Sequence, residues 1–366
     1  MSRADSATPG QGRSRSRPGI KDVAALANVS WKTVSNVVNE SAPVRPQTRA
    51  RVEAAIAELG YRPTLSGRYL RQGRSRILGL AVADLRLPYF SDLAHAVIEA
   101  AGKRDYTVLI EETLAEVEQE RHAADGFGVH LLDGLIYSPQ SLDPEEIRRA
   151  GTTLPTVVLG EHGLAELTRD LALDRVLIDN VAAAREATQH LLDTGRRAIV
   201  FLGADPHPDP DPPHDQRRGS ASGAGSLRRD GYLEAIGNAM TPTILPTTVY
   251  SRATGYDGIS TFLAKSGTDH LDAIFCANDQ LAIGVMAALR EAGLRVPEDV
   301  AVLGWDGSEE GRFANPSLTS VTPDLQALSE LAVDLLLDRI EGSAGPGKVH
   351  VLPHQIHVRD STAPAR

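Results

Sequence analysis

The sequence has almost no cysteine. Cys276 is the single one among 366 residues, so the chain cannot form an internal disulfide. It stands in the apolar segment DAIFCAND, whose pattern is typical of a buried strand. A lone, buried thiol fits a reducing compartment, and we expect a cytoplasmic protein.

Long apolar runs are missing too. No stretch of about 18 apolar residues is present to span a bilayer. The first nineteen residues, MSRADSATPGQGRSRSRPG, lack the apolar centre of a secretory signal. With 42% apolar side chains, the chain is still long enough for two or three compact units with their own cores. We expect a soluble protein without membrane contact.

Common catalytic motifs are absent as well. The sequence contains no GxSxG, HExxH, GxxxxGKS or GxxxxGKT motif and no paired cysteines. His207 and His214 stand among aspartates, but their spacing matches no regular metal-ligand pattern. We therefore expect no catalytic residues, no metal and no cofactor.

Charge is divided unevenly along the chain. Residues 1–76 hold 14 Lys and Arg against 5 Asp and Glu, whereas the remainder holds 24 against 43. A basic N-terminal region followed by an acidic remainder predicts that only the N-terminal region contacts a polyanion. Residues 1–18, which lack apolar periodicity, are predicted to be a disordered basic tail.

Residues 20–40, IKDVAALANVSWKTVSNVVNE, carry two short helical patterns with a break between them. Each pattern has an apolar stripe. The stripes consist of Val23, Ala24 and Ala27, and of Val34, Val37 and Val38. Ser30 is placed to cap the second helix by accepting a hydrogen bond from a backbone N–H near Thr33. A third helix is predicted from Pro46 to Gly60, so residues 19–62 form a helix-turn-helix unit with one small core.

The second helix of this unit has a polar face, which fits the major groove of DNA. Trp31, Lys32 and Asn36 are predicted on the groove side, where Lys32 and Asn36 can bond to bases. Contacts to phosphate position a protein without specifying a sequence. The predicted phosphate contacts are Thr33, Ser35 and Asn39. A helical hairpin that serves only as core remains the alternative.

From residue 76 onward, apolar strand patterns alternate with amphipathic helical segments. The strands are ILGLAVADL, YTVLIEE, DGLIYSP, PTVVLGE, AIVFLGA, AIFCAND and VAVLGWD, and the helical segments include residues 90–104, 181–194, 280–292 and 324–341. This alternation predicts an α/β fold with parallel sheets covered by helices on both faces. The length of the region indicates two lobes.

Two segments depart from this order. Residues 63–75, PTLSGRYLRQGRS, are basic and lie between the units, as a hinge would. Residues 204–226, ADPHPDPDPPHDQRRGSASGAGS, are rich in Pro, Asp, Gly and Ser. Their composition predicts a flexible insertion between a strand and a helix.

The stretch IKDVAALANVSWKTVSNVVNES, with the following TRARVEAAIAELGYRP, resembles the headpiece of the lactose-repressor (LacI) family of bacterial transcription regulators. The resemblance continues through ILGLAVADLRLPYFSDL, LLDGLIYSP, VLIDNVAAAREATQHLLDTGRR, AIFCANDQLAIGVMAALREAGLRVPEDVAVLGWDG and VLPHQIHVRDST, and covers residues 19–362. It implies a homodimer whose headpieces read a near-palindromic operator in double-stranded DNA. It also implies that residues 76–366 form a two-lobed domain like a periplasmic sugar-binding protein, which dimerises and holds a small effector.

In this family the hinge forms a helix on DNA and a leucine enters the minor groove. Leu70 is the matching position. Gly67 stands where a small alanine is usual, which lowers helix propensity by about 1 kcal/mol, so we expect the hinge helix to fold only on DNA. The terminal STAPAR has no heptad repeat, and a dimer without a tetramerising coiled coil is expected.

The resemblance and the strand ends together indicate an effector cleft, because open α/β lobes bind ligands at the carboxyl ends of their strands. The predicted effector-binding residues are Asp84, Tyr89, Phe90, Arg228, Tyr250, Asn278 and Asp306. Polar groups beside aromatic rings suit a sugar. Where the family often has Asp at the end of a strand, this chain has Gly160 followed by Glu161. For each polar residue alone, a strand-end cap or turn is the alternative.

The predicted function is therefore a DNA-binding transcriptional regulator, most often a repressor in this family, under the control of a small effector. A solute-binding protein of the periplasmic type is the alternative. It would share the two lobes but would carry a signal peptide and no headpiece, and this chain reverses both features.

Overall fold

The computed structural model describes residues 18–39, 42–61, 74–128, 131–142, 144–150, 154–160, 173–204, 223–247, 249–268, 271–343 and 345–362. The chain divides into two compact units, unit 1 over residues 1–75 and unit 2 over residues 76–366.

The described part of unit 1 consists of three helices, α1 (Ile20–Leu26), α2 (Trp31–Asn39) and α3 (Pro46–Leu59). They enclose one small core, in which Val23, Val34 and Val52 are fully buried. One valine comes from each helix, so no helix could bury its apolar stripe without the other two.

The ends of these helices confirm the predicted turn. Asn28 adopts a left-handed conformation with φ 49° between α1 and α2, a conformation that Asn tolerates better than most residues. The Thr33 amide donates to Ser30 Oγ at 3.1 Å, which is the predicted cap of α2. Pro46 begins α3, and Gly60 ends it with φ 59°.

Unit 2 is an α/β structure with twelve strands and nine helices in its described residues. The strands are β1 (Ile77–Val82), β2 (Thr107–Glu112), β3 (Gly134–Tyr137), β4 (Thr156–Leu159), β5 (Asp174–Ile178), β6 (Ile199–Ala204), β7 (Thr243–Pro246), β8 (Ala273–Cys276), β9 (Ala301–Trp305), β10 (Thr319–Pro323), β11 (Val349–Leu352) and β12 (His354–His357). The helices are α4 (Pro88–Gly102), α5 (Val117–Ala124), α6 (Pro144–Ala150), α7 (Asn180–Asp193), α8 (Ala224–Ile236), α9 (Arg252–Ser266), α10 (Asp279–Glu291), α11 (Glu309–Arg312) and α12 (Leu325–Ile340).

The strands form two six-stranded sheets, which define two lobes. The sheet of lobe 1 has the order β11-β5-β4-β3-β1-β2, and its neighbouring strands are all parallel. The sheet of lobe 2 has the order β12-β10-β9-β8-β6-β7, in which only β12 runs antiparallel to its neighbour. The chain passes between the lobes after β5, after β10 and between β11 and β12.

Helices cover both faces of the lobe 1 sheet, as predicted. Leu80 of β1 packs in one cluster with Leu93 of α4 and Leu336 of α12. Ala81, the next residue along the strand, belongs to a separate cluster with Ala123 of α5. Successive residues of a strand point to opposite faces, so β1 is buried on both sides and reads as a continuous apolar run.

The prediction of seven strands was incomplete, because β5, β7, β10, β11 and β12 were not among them. Three of these five, β7, β11 and β12, are edge strands whose residues are only partly buried, so they lack a long apolar run. The inner strand β10, TSVTP, is polar in sequence but buried. Its Ser320 and Thr319 form side-chain hydrogen bonds, which satisfies their hydroxyls away from water.

Several predicted segments lie outside the described residues. They are the basic tail up to residue 17, Leu70 with most of the hinge, and residues 205–222 of the insertion, which falls between β6 and α8. Across the part of the chain that the structure describes, no helix is long and apolar enough to cross a membrane.

Candidate functional site

A cavity of about 130 Å³ in unit 2 is lined by residues at the carboxyl ends of strands from both sheets. This volume is about ten times what one water molecule needs, so a small organic molecule can enter it. The lining combines polar and aromatic side chains with apolar ones. The polar residues are Ser138, Gln140, Asn180, Arg228, Asn278 and Asp306, and the aromatic ones are Tyr89, Phe90, Tyr250 and Trp305.

Six of the seven predicted effector residues line this cavity, and Asp84 does not. The Asp84 carboxylate instead accepts hydrogen bonds from Arg86 Nε at 2.9 Å and Arg86 Nη2 at 2.8 Å. It also accepts from the Arg86 backbone N–H at 2.9 Å, and these bonds with Arg86 lower the pKa of the Asp84 carboxyl. In the structure Asp84 organises the turn after β1 and is not among the residues that line the cavity.

Arg228 is held rigidly at the start of α8. Its Nε donates to Asn180 Oδ1 at 2.9 Å, and its Nη1 donates to the Ala277 carbonyl. The guanidinium carbon lies 4.0 Å from the centre of the Trp305 ring, a cation–π distance. Three elements of lobe 2 therefore fix the orientation of this cation beside the cavity.

Asp306 immediately follows β9 and has φ 112°, a conformation that residues with a side chain rarely adopt. Burial raises the pKa of its carboxyl well above the ordinary value; the charge of Arg228 acts in the opposite direction, and those of Asp279 and Asp92 add to the rise. Among the described residues lining the cavity, the two charged side chains, Arg228 and Asp306, have opposite signs and both belong to lobe 2.

Asn278 caps a helix and also lines the cavity. Its Oδ1 accepts a hydrogen bond from the Leu281 amide at 2.9 Å, so it is the N-cap of α10. Its Nδ2 lies 3.5 Å from the Tyr250 carbonyl, and the Tyr250 hydroxyl donates to the Gly203 carbonyl at 3.0 Å. An amide nitrogen has two hydrogens and this one has a single long contact, so Asn278 can offer a donor to a ligand.

Two aromatic residues form the opposite wall at the start of α4. The rings of Tyr89 and Phe90 meet edge to face, with their centres 5.1 Å apart. Burial raises the pKa of the Tyr89 hydroxyl to about 12, and the Asp306 carboxylate adds to this rise. The tyrosine therefore stays neutral at physiological pH and can act as a hydrogen-bond donor.

In unit 1, α2 presents part of the predicted DNA face. Trp31 is 54% exposed, Lys32 is exposed, and Thr33 and Asn36 are half-buried. Lys32 and Asn36 are four residues apart and thus share one face of the helix. Ser35, a predicted phosphate contact, is only 5% exposed and is thus largely buried, unlike Trp31 and Lys32. The Asn39 side chain and Leu70 lie outside the described residues.

Comparison with known proteins agrees with these two units. Residues 19–64 match the family described as "Bacterial regulatory proteins, lacI family", and residues 188–362 match the "Periplasmic binding protein-like domain". The HTH-type transcriptional regulator GalS of Salmonella typhimurium is 31% identical over 329 residues, which cover 89% of this chain and 90% of GalS. The chain belongs to the LacI family.

Two solved structures extend the comparison. The lac repressor dimer bound to operator and the anti-inducer ONPF is 28% identical and superposes with a TM-score of 0.78, covering 95% of this LacI-family chain and all of the other. The complex of the transcriptional regulator CelR with cellobiose is 29% identical with a TM-score of 0.63, covering 94% of this chain and all of CelR.

Four polar or aromatic residues of this LacI-family cleft escaped the sequence analysis, namely Ser138, Gln140, Asn180 and Trp305. Ser138 and Asn180 directly or closely follow β3 and β5, so the rule that placed Asp84 and Asn278 at strand ends applied to them equally. Trp305 ends an apolar strand, where its sequence pattern indicates core. It is indeed nearly fully buried, although its ring borders the cavity.

A buried carboxylate also went unnoticed. Glu120 of α5 is fully buried. It accepts hydrogen bonds from the backbone amides of Gln140 at 2.7 Å, Ser141 at 3.0 Å and Leu142 at 2.8 Å. These bonds fix the loop after β3, and the Ser138 and Gln140 side chains of this loop line the cleft. No sequence motif marks this role, since a glutamate in an amphipathic helix normally lies on the solvent side.

Metal ligands give no competing site in the described residues. No group of three or more His, Cys, Asp or Glu side chains there is arranged to hold an ion. His207 and His214, the histidines weighed in the sequence, lie outside that part of the chain.

Proposed function

We propose that this chain is a cytoplasmic transcriptional repressor that binds a near-palindromic operator as a homodimer and responds to a sugar-like effector in the cleft of unit 2. The observation that carries the proposal is the cleft. Six residues chosen from sequence alone line one cavity, and the same chain contains the helix-turn-helix of unit 1.

The DNA-binding part of the proposal rests on charge and on α2. Residues 1–76 concentrate the positive charge of an otherwise acidic chain. We assign Lys32 and Asn36 to base edges and Trp31 to the groove side. Thr33 and Asn39 are assigned to phosphates, and Leu70 to the minor groove by its place in GRYLRQG. The lac repressor dimer on its operator, similar over 95% of this chain, supports both the DNA and the dimer.

The effector part rests on the chemistry of the cleft. Arg228 and the ionised form of Asp306 carry opposite charges, and such a pair favours a neutral ligand. Asn278 and Tyr89 add hydrogen-bond donors suited to hydroxyl groups, and the aromatic rings provide faces for the C–H side of a sugar ring. The CelR complex with cellobiose, similar over 94% of this chain, supports a sugar.

The two parts are coupled through the lobes. A ligand that contacts both lobes favours their closed arrangement, and it can shift an equilibrium only by its different affinities for the two states. Coupling between sites is typically about 1–3 kcal/mol, which changes operator affinity by about 5-fold to 150-fold.

A function as an enzyme or as a transport protein fits the chain less well than transcriptional regulation does. GalS, CelR and the lac repressor are transcriptional regulators. A transport protein has no use for residues 19–64, which match the lacI family.

Calorimetry with galactose, lactose and cellobiose on the full chain tests the effector site. Asp306→Ala should weaken binding of the active sugar by about tenfold or more, because a hydrogen bond from a hydroxyl to a charged group is lost. Asp84→Ala is the matched control, since this acid also follows a strand but is held by Arg86 outside the cavity. Equal binding by Asp306→Ala and the parent would reject the site.

Operator binding is tested separately. Selection from a random DNA pool identifies the operator, and its affinity is then measured with and without the active sugar. We expect the sugar to change the affinity of the parent and to leave that of Asp306→Ala unchanged. A parent protein that selects no sequence would reject the regulatory function.

A further inference from the structure

The turn after β9 holds Asp306 in an unfavourable backbone conformation. Asp306 has φ 112° and the next residue, Gly307, has φ 72°. A glycine tolerates such a value, but an aspartate adopts it only where the surrounding structure leaves no alternative. The side chain that the cleft uses therefore depends on whatever fixes this turn.

Three successive backbone amides of the turn are bound by protein groups. Asp306 N–H donates to the Val321 carbonyl at 2.8 Å. Gly307 N–H donates to Ser320 Oγ at 3.0 Å, and Ser308 N–H donates to Asp279 Oδ2 at 2.7 Å. Ser320 Oγ in turn donates to Asp279 Oδ1 at 2.7 Å. Two of the three amides are thus held by Asp279, one directly and one through Ser320.

Asp279 is fully buried and fits a space made for it. A Cβ added at Gly304 would lie 2.2 Å from Asp279 Oδ1, and one at Gly311 would lie 3.3 Å from Oδ2. The residue is also the first of α10, where the helix dipole favours a negative charge. The two glycines, which have no side chain, therefore leave the room that the Asp279 carboxylate occupies.

The hydrogen bonds around Asp279 fit its ionised form. The amide of Gly307 donates to Ser320, whose hydroxyl donates to Asp279, and the amide of Ser308 donates to the other oxygen. Every hydrogen points toward Asp279, so the carboxylate acts only as an acceptor. An amide of the same shape would direct an N–H₂ group at a donor and break one of these bonds.

We propose that Asp279 is a positioning residue of the effector site, which fixes the 306–308 turn and so aims Asp306 at the cleft. The inference rests on the proposed function, in which Asp306 binds the effector. Asp279 itself does not line the cavity, so it acts through Asp306 and not by touching the ligand.

The first test needs no effector. The chain has two tryptophans, Trp31 and Trp305, so Trp31→Phe leaves Trp305, next to the turn, as the only one. In this background Asp279→Asn should make Trp305 fluorescence at least about twofold more sensitive to acrylamide. Hydrogen exchange at the amides of residues 307 and 308 should be at least about tenfold faster. Ser320→Ala should act in the same direction and serves where Asp279→Asn does not fold.

The second test separates positioning from ordinary stability. Cellobiose is the probe, and its affinity is measured for the parent, Asp279→Asn, Asp306→Ala and the double variant. We expect Asp279→Asn to weaken binding about tenfold, and the double variant to bind no more weakly than Asp306→Ala alone. Asp174→Asn is the control, because this buried acid pairs with Arg339 at 2.8 Å at the amino end of β5 and should leave the affinity unchanged.

The outcomes distinguish the inference from the proposed function. If cellobiose does not bind the parent, the choice of sugar is wrong, and the fluorescence and exchange measurements still decide the inference. Unchanged quenching and exchange in both Asp279→Asn and Ser320→Ala overturn it. The inference is also overturned if the double variant loses the sum of the binding free energies that Asp279→Asn and Asp306→Ala lose singly. Asp279 would then act independently of Asp306.

Discussion

Arg228 shows at the scale of one residue why side-chain type matters in the cleft. It donates to the Asn180 side chain and to the Ala277 carbonyl while its guanidinium carbon lies 4.0 Å from the centre of the Trp305 ring. A planar guanidinium with several donors can do all three, whereas the ammonium of lysine is a point charge without a flat face. Charge alone does not define this position.

Arg228→Lys should therefore weaken sugar binding by about tenfold or more although the charge is kept, because the two guanidinium hydrogen bonds and the contact with Trp305 are lost. Titration calorimetry measures the affinity, and thermal unfolding shows whether the fold survives. Arg185→Lys is the matched control. Its exposed pair with Glu234, at 3.1 Å, lies on the same two helices, and exposed pairs contribute little. Equal losses in both variants would contradict the assignment.

A buried acid gives a prediction with a defined sign. Burial raises the pKa of Asp279 from 3.8 to about 6. Between about pH 4 and about pH 6 the folded protein thus binds more protons than the unfolded chain, and the free energy of unfolding falls as the pH rises. Asp279→Asn removes this titration, so its free energy of unfolding should fall less over the same range.

Urea unfolding at several pH values measures this difference. Burial also raises the pKa of Asp306. This residue is present in both proteins, and in both it makes the free energy of unfolding fall as the pH rises. Asp299→Asn is the control, because Arg295 lowers the pKa of Asp299 to about 2 and places its titration below the range. A parent and an Asp279→Asn variant with the same slope would show that Asp279 does not titrate there.

At the scale of elements, a strand could be predicted from the sequence where its buried residues are apolar along its whole length. Strands such as β1, β8 and β9 are buried along their whole length, and continuous apolar runs revealed them. β10 is equally central, but its buried hydroxyls are satisfied by partners distant in sequence, Asp279 and Thr362 among them. Those partners are visible only in the folded chain, and the same holds for Glu120 and the loop it supports.

Burial also distinguishes two positions on α2. Lys32 is exposed and Ser35 is buried. Lys32→Ala should change the preference for particular operator bases by about 1–3 kcal/mol, because a side chain that reads a base edge is lost. Ser35→Ala should leave the base preference intact and alter only stability. Competition between operator variants measures both, and a uniform loss over all sequences for Lys32→Ala would assign it to phosphate instead.

At the scale of the whole molecule, the two units have separate cores. Unit 1 encloses a cluster of small and β-branched residues around Val34 and Val52. Unit 2 has cores of its own on the sheets of both lobes, and its cavity is lined only by its own residues. Positive charge is concentrated in the first unit and negative charge in the second. We therefore expect unit 2 to fold and to bind its ligand without unit 1.

Removing residues 1–75 should then abolish operator binding and leave a folded protein that binds its sugar as the full chain does. The loss follows because the side chains assigned to DNA, Lys32 and Asn36 among them, are gone, and the acidic remainder repels a polyanion. Circular dichroism and calorimetry on the truncated protein check the fold and the sugar site, and operator binding is measured beside the full chain at equal salt. Sequence-specific DNA binding by the truncated protein would place the operator site elsewhere, and loss of the sugar site would show that the cleft depends on unit 1.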